Sequence, residues 1–180
     1  MNKEAQNLGL KKSNFASAHG MYVEENYSTA HDMAKLCGVV MKDSNFKSIV
    51  RETYWECASH EYPGHIYKWN NTNFLLKQEP SCTGIKTGIT WQAGPCLAAA
   101  MRRDGLHICV IILSCCSPES RWYEVPKLIN WGVKKIQKIQ ASKLRPKMRR
   151  KLIKNFTYIW LKVIFSIINK YNGVWLLIKF

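Results

Sequence analysis

The stretch Cys96-Leu97-Ala98-Ala99-Ala100-Met101-Arg102-Arg103-Asp104-Gly105-Leu106-His107-Ile108-Cys109-Val110-Ile111-Ile112-Leu113-Ser114 decides the fold. Two apolar runs flank Asp104-Gly105, and Asp-Gly between such runs is the residue pair that a two-residue hairpin turn demands, because both positions need positive φ. Leu106 to Ser114 is therefore a strand, and Cys96 to Arg103 its antiparallel partner. Upstream, Ile85 to Trp91 is a third short run of β character. Outside these strands the period changes. Trp122, Val125, Leu128, Ile129 and Gly132 share one side of a helix over Arg121 to Val133, with Pro126 tolerated in its early turns.

The N-terminal part reads as helices. Met1, Ala5 and Leu8 recur at helical spacing before a Gly9 stop. Thr29 followed three residues later by Asp32 has the form of a capping box, so a helix begins at Ala30. Phe46 to Val50 belongs to another short helix. Residues 58–73, rich in Asn, Pro, Gly and Tyr, read as loop. The order is helices, three antiparallel strands and a helix: an α+β layout that lacks a partner for the sheet's other edge.

Charge divides the chain. Residues 1–133 carry 14 Lys/Arg against all 12 Asp/Glu, whereas residues 134–180 carry the other 13 Lys/Arg and no acid. A nearly neutral body over 1–133 is thus followed by a basic tail over 134–180, a composition suited to an anionic partner. In the tail, Leu152, Phe156, Ile159, Trp160, Val163, Ile164, Ile167, Ile168, Tyr171, Trp175 and Ile178 repeat at helical spacing. Lys162 and Lys170 interrupt any run long enough to span a bilayer. The expectation is an amphipathic helix over 145–180 lying on an anionic membrane surface, with a tail packed on the missing part of the domain or a non-native C-terminus as equal alternatives. Aromatic and basic residues interleave there, but no nucleic-acid-binding module is present, which argues against nucleic acid. No secretory signal opens the chain.

The seven cysteines include an adjacent pair and no Cys-x-x-Cys, so buried free thiols are expected rather than a disulfide framework or a thiolate zinc site. His60-Glu61 and His65 miss the His-Glu-x-x-His spacing by one, and Pro63-Gly64 would break the helix that a zinc site needs. No metal or cofactor is expected. Asp32 and Glu124 read as a cap and a surface ion-pair partner.

Lys86-Thr87-Gly88 is the motif with chemistry attached. A lysine supplies fixed positive charge for a carboxylate, a threonine hydroxyl can bond the same group, and a glycine leaves room for a ligand backbone beside the strand. Its surroundings sharpen it. Met1-Asn2, Leu8-Gly9-Leu10, His19-Gly20-Met21, Tyr27-Ser28-Thr29-Ala30 and Asp32-Met33-Ala34 occur in one order with Asn71-Thr72-Asn73-Phe74-Leu75-Leu76 and Gly84-Ile85-Lys86-Thr87-Gly88-Ile89-Thr90. Arg102-Arg103-Asp104-Gly105, Arg121, Glu124, Leu128-Ile129 and Trp131-Gly132 complete the series. Over residues 1 to about 133 this pattern resembles the serine D-alanyl-D-alanine carboxypeptidases, within the penicillin-binding protein and β-lactamase superfamily.

The resemblance implies an α+β fold of the penicillin-recognising type, here an incomplete domain, with peptides ending in D-Ala-D-Ala and β-lactams as ligands. Lys86 and Thr87 would bind the D-Ala carboxylate beside Gly88, and the backbone N–H of Ile89 would be one oxyanion-hole donor. Ser17-Ala18 stands where the family has Asn-Pro before His-Gly. The family's Ser-x-x-Lys and Ser-x-Asn lie upstream of the segment that Met1-Asn2 matches, so this chain is expected to lack the nucleophile. Ser44-Asn45-Phe46-Lys47 spells Ser-x-x-Lys but falls where the family has an ordinary helix, and it reads as a capped surface helix start. Members of the family are extracytoplasmic and membrane-associated. The alternative is a degenerate, non-enzymatic remnant whose tail binds a membrane surface.

Overall fold

Asp104 and Gly105 have φ of 52° and 74°, the pair of positive values that a type I′ turn requires. In this computed structural model they join β4 (Gly94–Arg103) to β5 (Leu106–Ile112), with Arg103 opposite Leu106 and Leu97 opposite Ile112. The structure describes residues 1–142, 146–148 and 150, and the backbone of 174–179. β3 (Cys82–Thr90) pairs antiparallel with the far side of β4. The three strands expected from sequence are therefore present, each within a few residues of its expected ends.

β5 is apolar without alternation because both of its faces are covered, as in any strand buried on two sides. On one face Leu97, Ala99, Met101, Ile108, Val110 and Ile112 pack against Val125, Ile129, Val133 and Ile136 of α5 (Ser120–Ala141). On the other, Ala100, Cys109 and Ile111 meet Ala30, Ala34 and Cys37 of α2 (Ala30–Val40). Full burial of each large aliphatic side chain contributes about 1.5–3 kcal/mol, so these two layers dominate the stability.

Local signals set the helix ends. Thr29 Oγ1 accepts the Asp32 N–H at 3.2 Å and starts α2. The Asp32 carboxylate does not close the box back onto Thr29. It turns instead to Lys12 N–H (2.7 Å) and Ser13 Oγ (2.8 Å), tying the 11–29 loop to the helix. α1 (Asn2–Asn7) stops at Gly9, whose φ is 67°. α3 (Ser44–Arg51) begins at Asp43, whose carboxylate accepts the Phe46 N–H at 2.7 Å. Gly84 is where α3 meets β3. Its φ is +133°, and a Cβ there would stand 2.7 Å from Val50 Cγ2. Gly84→Ala should therefore cost about 2 kcal/mol or more from strain and overpacking. Adding Val50→Ala should recover only part of it in a urea unfolding series, because the backbone strain remains.

Two expectations from sequence are corrected. Residues 58–73 are not all loop: β1 (Tyr54–Ala58) and β2 (Ile66–Asn70) form an antiparallel hairpin, with Trp55 opposite Trp69 and Cys57 opposite Tyr67. Every residue of both strands is exposed, so no inside–outside alternation marks them. The backbone ladder between the strands holds the hairpin instead, while along β2 itself Tyr67 stacks on Trp69 (5.7 Å between ring centroids). A short α4 (Leu75–Gln78) then leads into β3.

The second correction concerns the tail and the sheet edge. Val174–Lys179, expected as the end of an amphipathic helix, is strand β6, antiparallel to β5 with His107 opposite Lys179 and Ile112 opposite Val174. The sheet order is β3-β4-β5-β6, so the edge expected to lack a partner has one. The reason is that β5 presents a row of backbone donors and acceptors, and a β-prone Val-Trp-Leu-Leu-Ile segment satisfies them better than solvent does. Residues 146–148 and 150 are helical; the rest of the expected helix up to 173 lies outside the described residues. Among the described residues no helix is long and apolar enough to cross a membrane.

Candidate functional site

Among the described strands β3 is the terminal one of its sheet, so one side of Lys86-Thr87-Gly88-Ile89 faces away from any strand. Lys86 is exposed, and its Nζ donates to the Thr87 carbonyl at 2.6 Å, which draws the ammonium along the strand. Thr87 Oγ1 lies 2.6 Å from Thr72 Oγ1 in a hydroxyl–hydroxyl hydrogen bond. Thr72 is itself held on both sides. The Asn71 N–H donates to Thr53 O (2.9 Å), and Asn71 Oδ1 accepts the Asn73 N–H (2.9 Å). Asn73, 1% exposed, accepts the Leu75 N–H at 3.2 Å through Oδ1. Thr87 thus meets a fixed partner beside the Lys86 charge.

The far end of the motif is set by Pro95 and Arg121. Pro95 stands opposite Ile89, and its carbonyl accepts the Cys115 N–H at 2.9 Å, so it points away from β3. In an antiparallel ladder this is the non-hydrogen-bonded kind of pair, whose members turn their N–H and C=O groups outward. The Ile89 N–H therefore faces the open edge. Gly88 is opposite Cys96, and the Arg121 guanidinium reaches both carbonyls, Cys96 O at 3.0 Å and Gly88 O at 3.4 Å. Its Nε donates to Pro118 O at 2.8 Å, and its Cζ sits 4.7 Å from the centroid of the Trp122 ring.

An exposed ammonium, a held hydroxyl and outward backbone donors thus stand on one strand edge, groups whose chemistry suits a carboxylate. A nucleophile is another matter. Ser44 is exposed at the start of α3, while Lys47 lines a cavity with Thr83 and His107. Val50 of α3 packs against Gly84, and Ser44 stands at the opposite end of that helix. Cys115, behind Pro95, is pushed up to about 11, chiefly by burial, and is a neutral thiol at physiological pH. His60 and Glu61 lie in the hairpin connection, where the His65 ring meets Tyr67 edge-on at 4.6 Å. Among the described residues no three His, Cys, Asp or Glu side chains converge as a metal site would require.

The profile of the D-alanyl-D-alanine carboxypeptidases matches residues 1–116. This chain belongs to that family. It is 33% identical over 135 residues to the D-alanyl-D-alanine carboxypeptidase of Streptomyces sp. (strain K15), an overlap covering 73% of this chain and 46% of the relative. With the carboxypeptidase DacF of Bacillus subtilis (strain 168) the identity is 32% over 133 residues, covering 73% and 33%. The crystal structure of the Streptomyces K15 DD-transpeptidase superposes with a TM-score of 0.70 at 32% identity, over 74% of this chain and 52% of that one. This chain therefore spans about half or less of these relatives.

Within this carboxypeptidase-family frame the α+β fold expected from sequence is present over the shared region. Two residues were quoted among the family-like motifs without a role, and the structure gives each one: Thr72 against the Thr87 hydroxyl, and buried Arg121 behind Gly88. Arg121 left a trace in the sequence as a lone cation on an otherwise apolar helical stripe. Thr72 left none, because nothing local says which strand its hydroxyl will meet.

Proposed function

We propose that this chain supplies the carboxylate-recognition edge of a D-Ala-D-Ala carboxypeptidase site. Lys86 Nζ and Thr87 Oγ1 bind the terminal carboxylate of a peptide ending in D-Ala-D-Ala, or the matching carboxylate of a β-lactam. Gly88 gives the ligand backbone room. The outward Ile89 N–H is the oxyanion-hole donor contributed from this side. The observation that carries the reading is the Thr72–Thr87 hydroxyl pair beside an exposed lysine on an open strand edge. A hydroxyl already held in place costs little further entropy when the ligand arrives. The family reaction is serine acylation, release of D-alanine and hydrolysis of the acyl-enzyme. Among the described residues no base-activated serine stands at that edge, and on this reading the chain binds such ligands without being acylated.

The test uses an N-acetylated peptide ending in D-Ala-D-Ala, its C-terminal amide, and a fluorescent penicillin. The free carboxylate should bind and the amide should bind much more weakly. Lys86→Ala should lower affinity for the carboxylate form about 10- to 100-fold, the worth of a hydrogen bond to a charged group. Equal titration of acid and amide would sink the assignment of Lys86 and Thr87. Intact mass spectrometry with the penicillin should show no covalent adduct, and an adduct at Ser44 would reverse the reading of that serine.

A further inference from the structure

Cys37 in α2 and Cys109 in β5 are buried in one apolar cluster with Ala34, Ala100 and Ile111, and their thiols face each other. Both also line one cavity of about 280 Å³ between the end of α2, the start of α3 and the sheet. Met41, Met101 and Ile108 form its apolar walls, while Lys42, Lys47 and His107 are exposed lining residues, and among the described residues no carboxylate lines it. The cavity gives a small molecule a route to two sulfurs that are otherwise sealed in the core, and its cations favour an anionic one.

We propose that Cys37 and Cys109 are a redox-active dithiol, closed to a disulfide between α2 and β5 by a small anionic disulfide, such as glutathione disulfide, that enters through this cavity. Cys37 lines the cavity together with Lys42 and Lys47 and attacks first. The Cys37 thiolate bonds to one sulfur of the reagent, the reagent's S–S bond breaks, and one small thiolate leaves. Cys109 then loses its proton to solvent and attacks the Cys37 sulfur, expelling the second small thiolate. The protein loses two electrons and two protons, and the reagent is reduced to two thiols.

The experiment oxidises the reduced full chain with glutathione disulfide, alkylates the remaining thiols after unfolding, and maps the peptides by mass spectrometry. The expected product is a Cys37–Cys109 linked pair lighter by two hydrogens, with Cys82 and Cys115 alkylated. Cys109→Ser should trap glutathione on Cys37, whereas Cys37→Ser should leave Cys109 alkylated and unmodified by glutathione. Lys42→Glu with Lys47→Glu should slow closure by glutathione disulfide but not by the neutral hydroxyethyl disulfide. Full alkylation of both cysteines after oxidation, or Cys37 bridged to a different cysteine, would overturn the proposal. The wild-type map decides it even if a serine variant fails to fold.

Discussion

Asp32→Ala should lower the unfolding free energy by about 3 kcal/mol or more, the cost of emptying a buried charged hydrogen-bonding site. Asp32 is 2% exposed. Its carboxylate accepts the Lys12 N–H at 2.7 Å and the Ser13 hydroxyl at 2.8 Å, and it lies 3.2 Å from His31 Nδ1. Ser13 Oγ is also 2.8 Å from Ser28 Oγ, so the loss would free both ends of the 11–29 loop. Burial alone would raise the Asp32 pKa. The Lys12 N–H, the Ser13 hydroxyl and His31 outweigh burial and hold it below the ordinary carboxylate value. A carboxyl lowered in the folded state stabilises fully above its unfolded pKa, about 3.9, and that stabilisation is lost as pH falls through the folded value. Urea unfolding of wild type should therefore show stability falling below about pH 4. Asp32→Asn keeps an acceptor oxygen, so it should cost less at pH 7 than alanine and flatten the acid slope. Asp32→Ala unfolding at the wild-type urea midpoint would mean that the carboxylate organises nothing.

Arg121→Met should cost about 3 kcal/mol, since it leaves several carbonyls without their charged donor while keeping the apolar stem. The guanidinium serves Pro118 O, Cys96 O and, more weakly at 3.4 Å, Gly88 O, from a buried position at the start of α5. Arg121→Lys should recover less than half, because one ammonium cannot fork to acceptors on separate segments. The loss should also show away from the helix, as faster amide exchange around Gly88 and Cys96 and weaker binding of the D-Ala-D-Ala peptide. Destabilisation with no change at Gly88 would confine Arg121 to anchoring α5.

Where a segment's conformation depends on its own residues, the sequence was a reliable guide. Asp104-Gly105 could be read as a hairpin because two adjacent positive φ angles exclude most other residues. Thr29 could be read as a cap because the donor it satisfies is three residues away. The apolar runs of β3, β4 and β5 and the stripe of α5 announced elements that tertiary burial then confirmed. Illegibility began where that coupling ended. The β1–β2 hairpin has no buried face, so burial wrote no period into it. Asp32 reads locally as a cap, yet its carboxylate answers to Lys12 and Ser13, about twenty residues upstream.

By itself, then, the sequence determined the strand order of the hairpin core, the caps and turns, and the family motif on β3, because each rests on local sterics or on short-range periodicity. Only the tertiary structure decided that Thr72 would meet Thr87, that Arg121 would reach behind Gly88, that Cys37 would face Cys109, and that Val174–Lys179 would lie along β5 as a strand. Each of these joins segments at least 15 residues apart. Such a contact forms only after packing has brought two surfaces together, and residue spacing along the chain carries no record of which surfaces those will be.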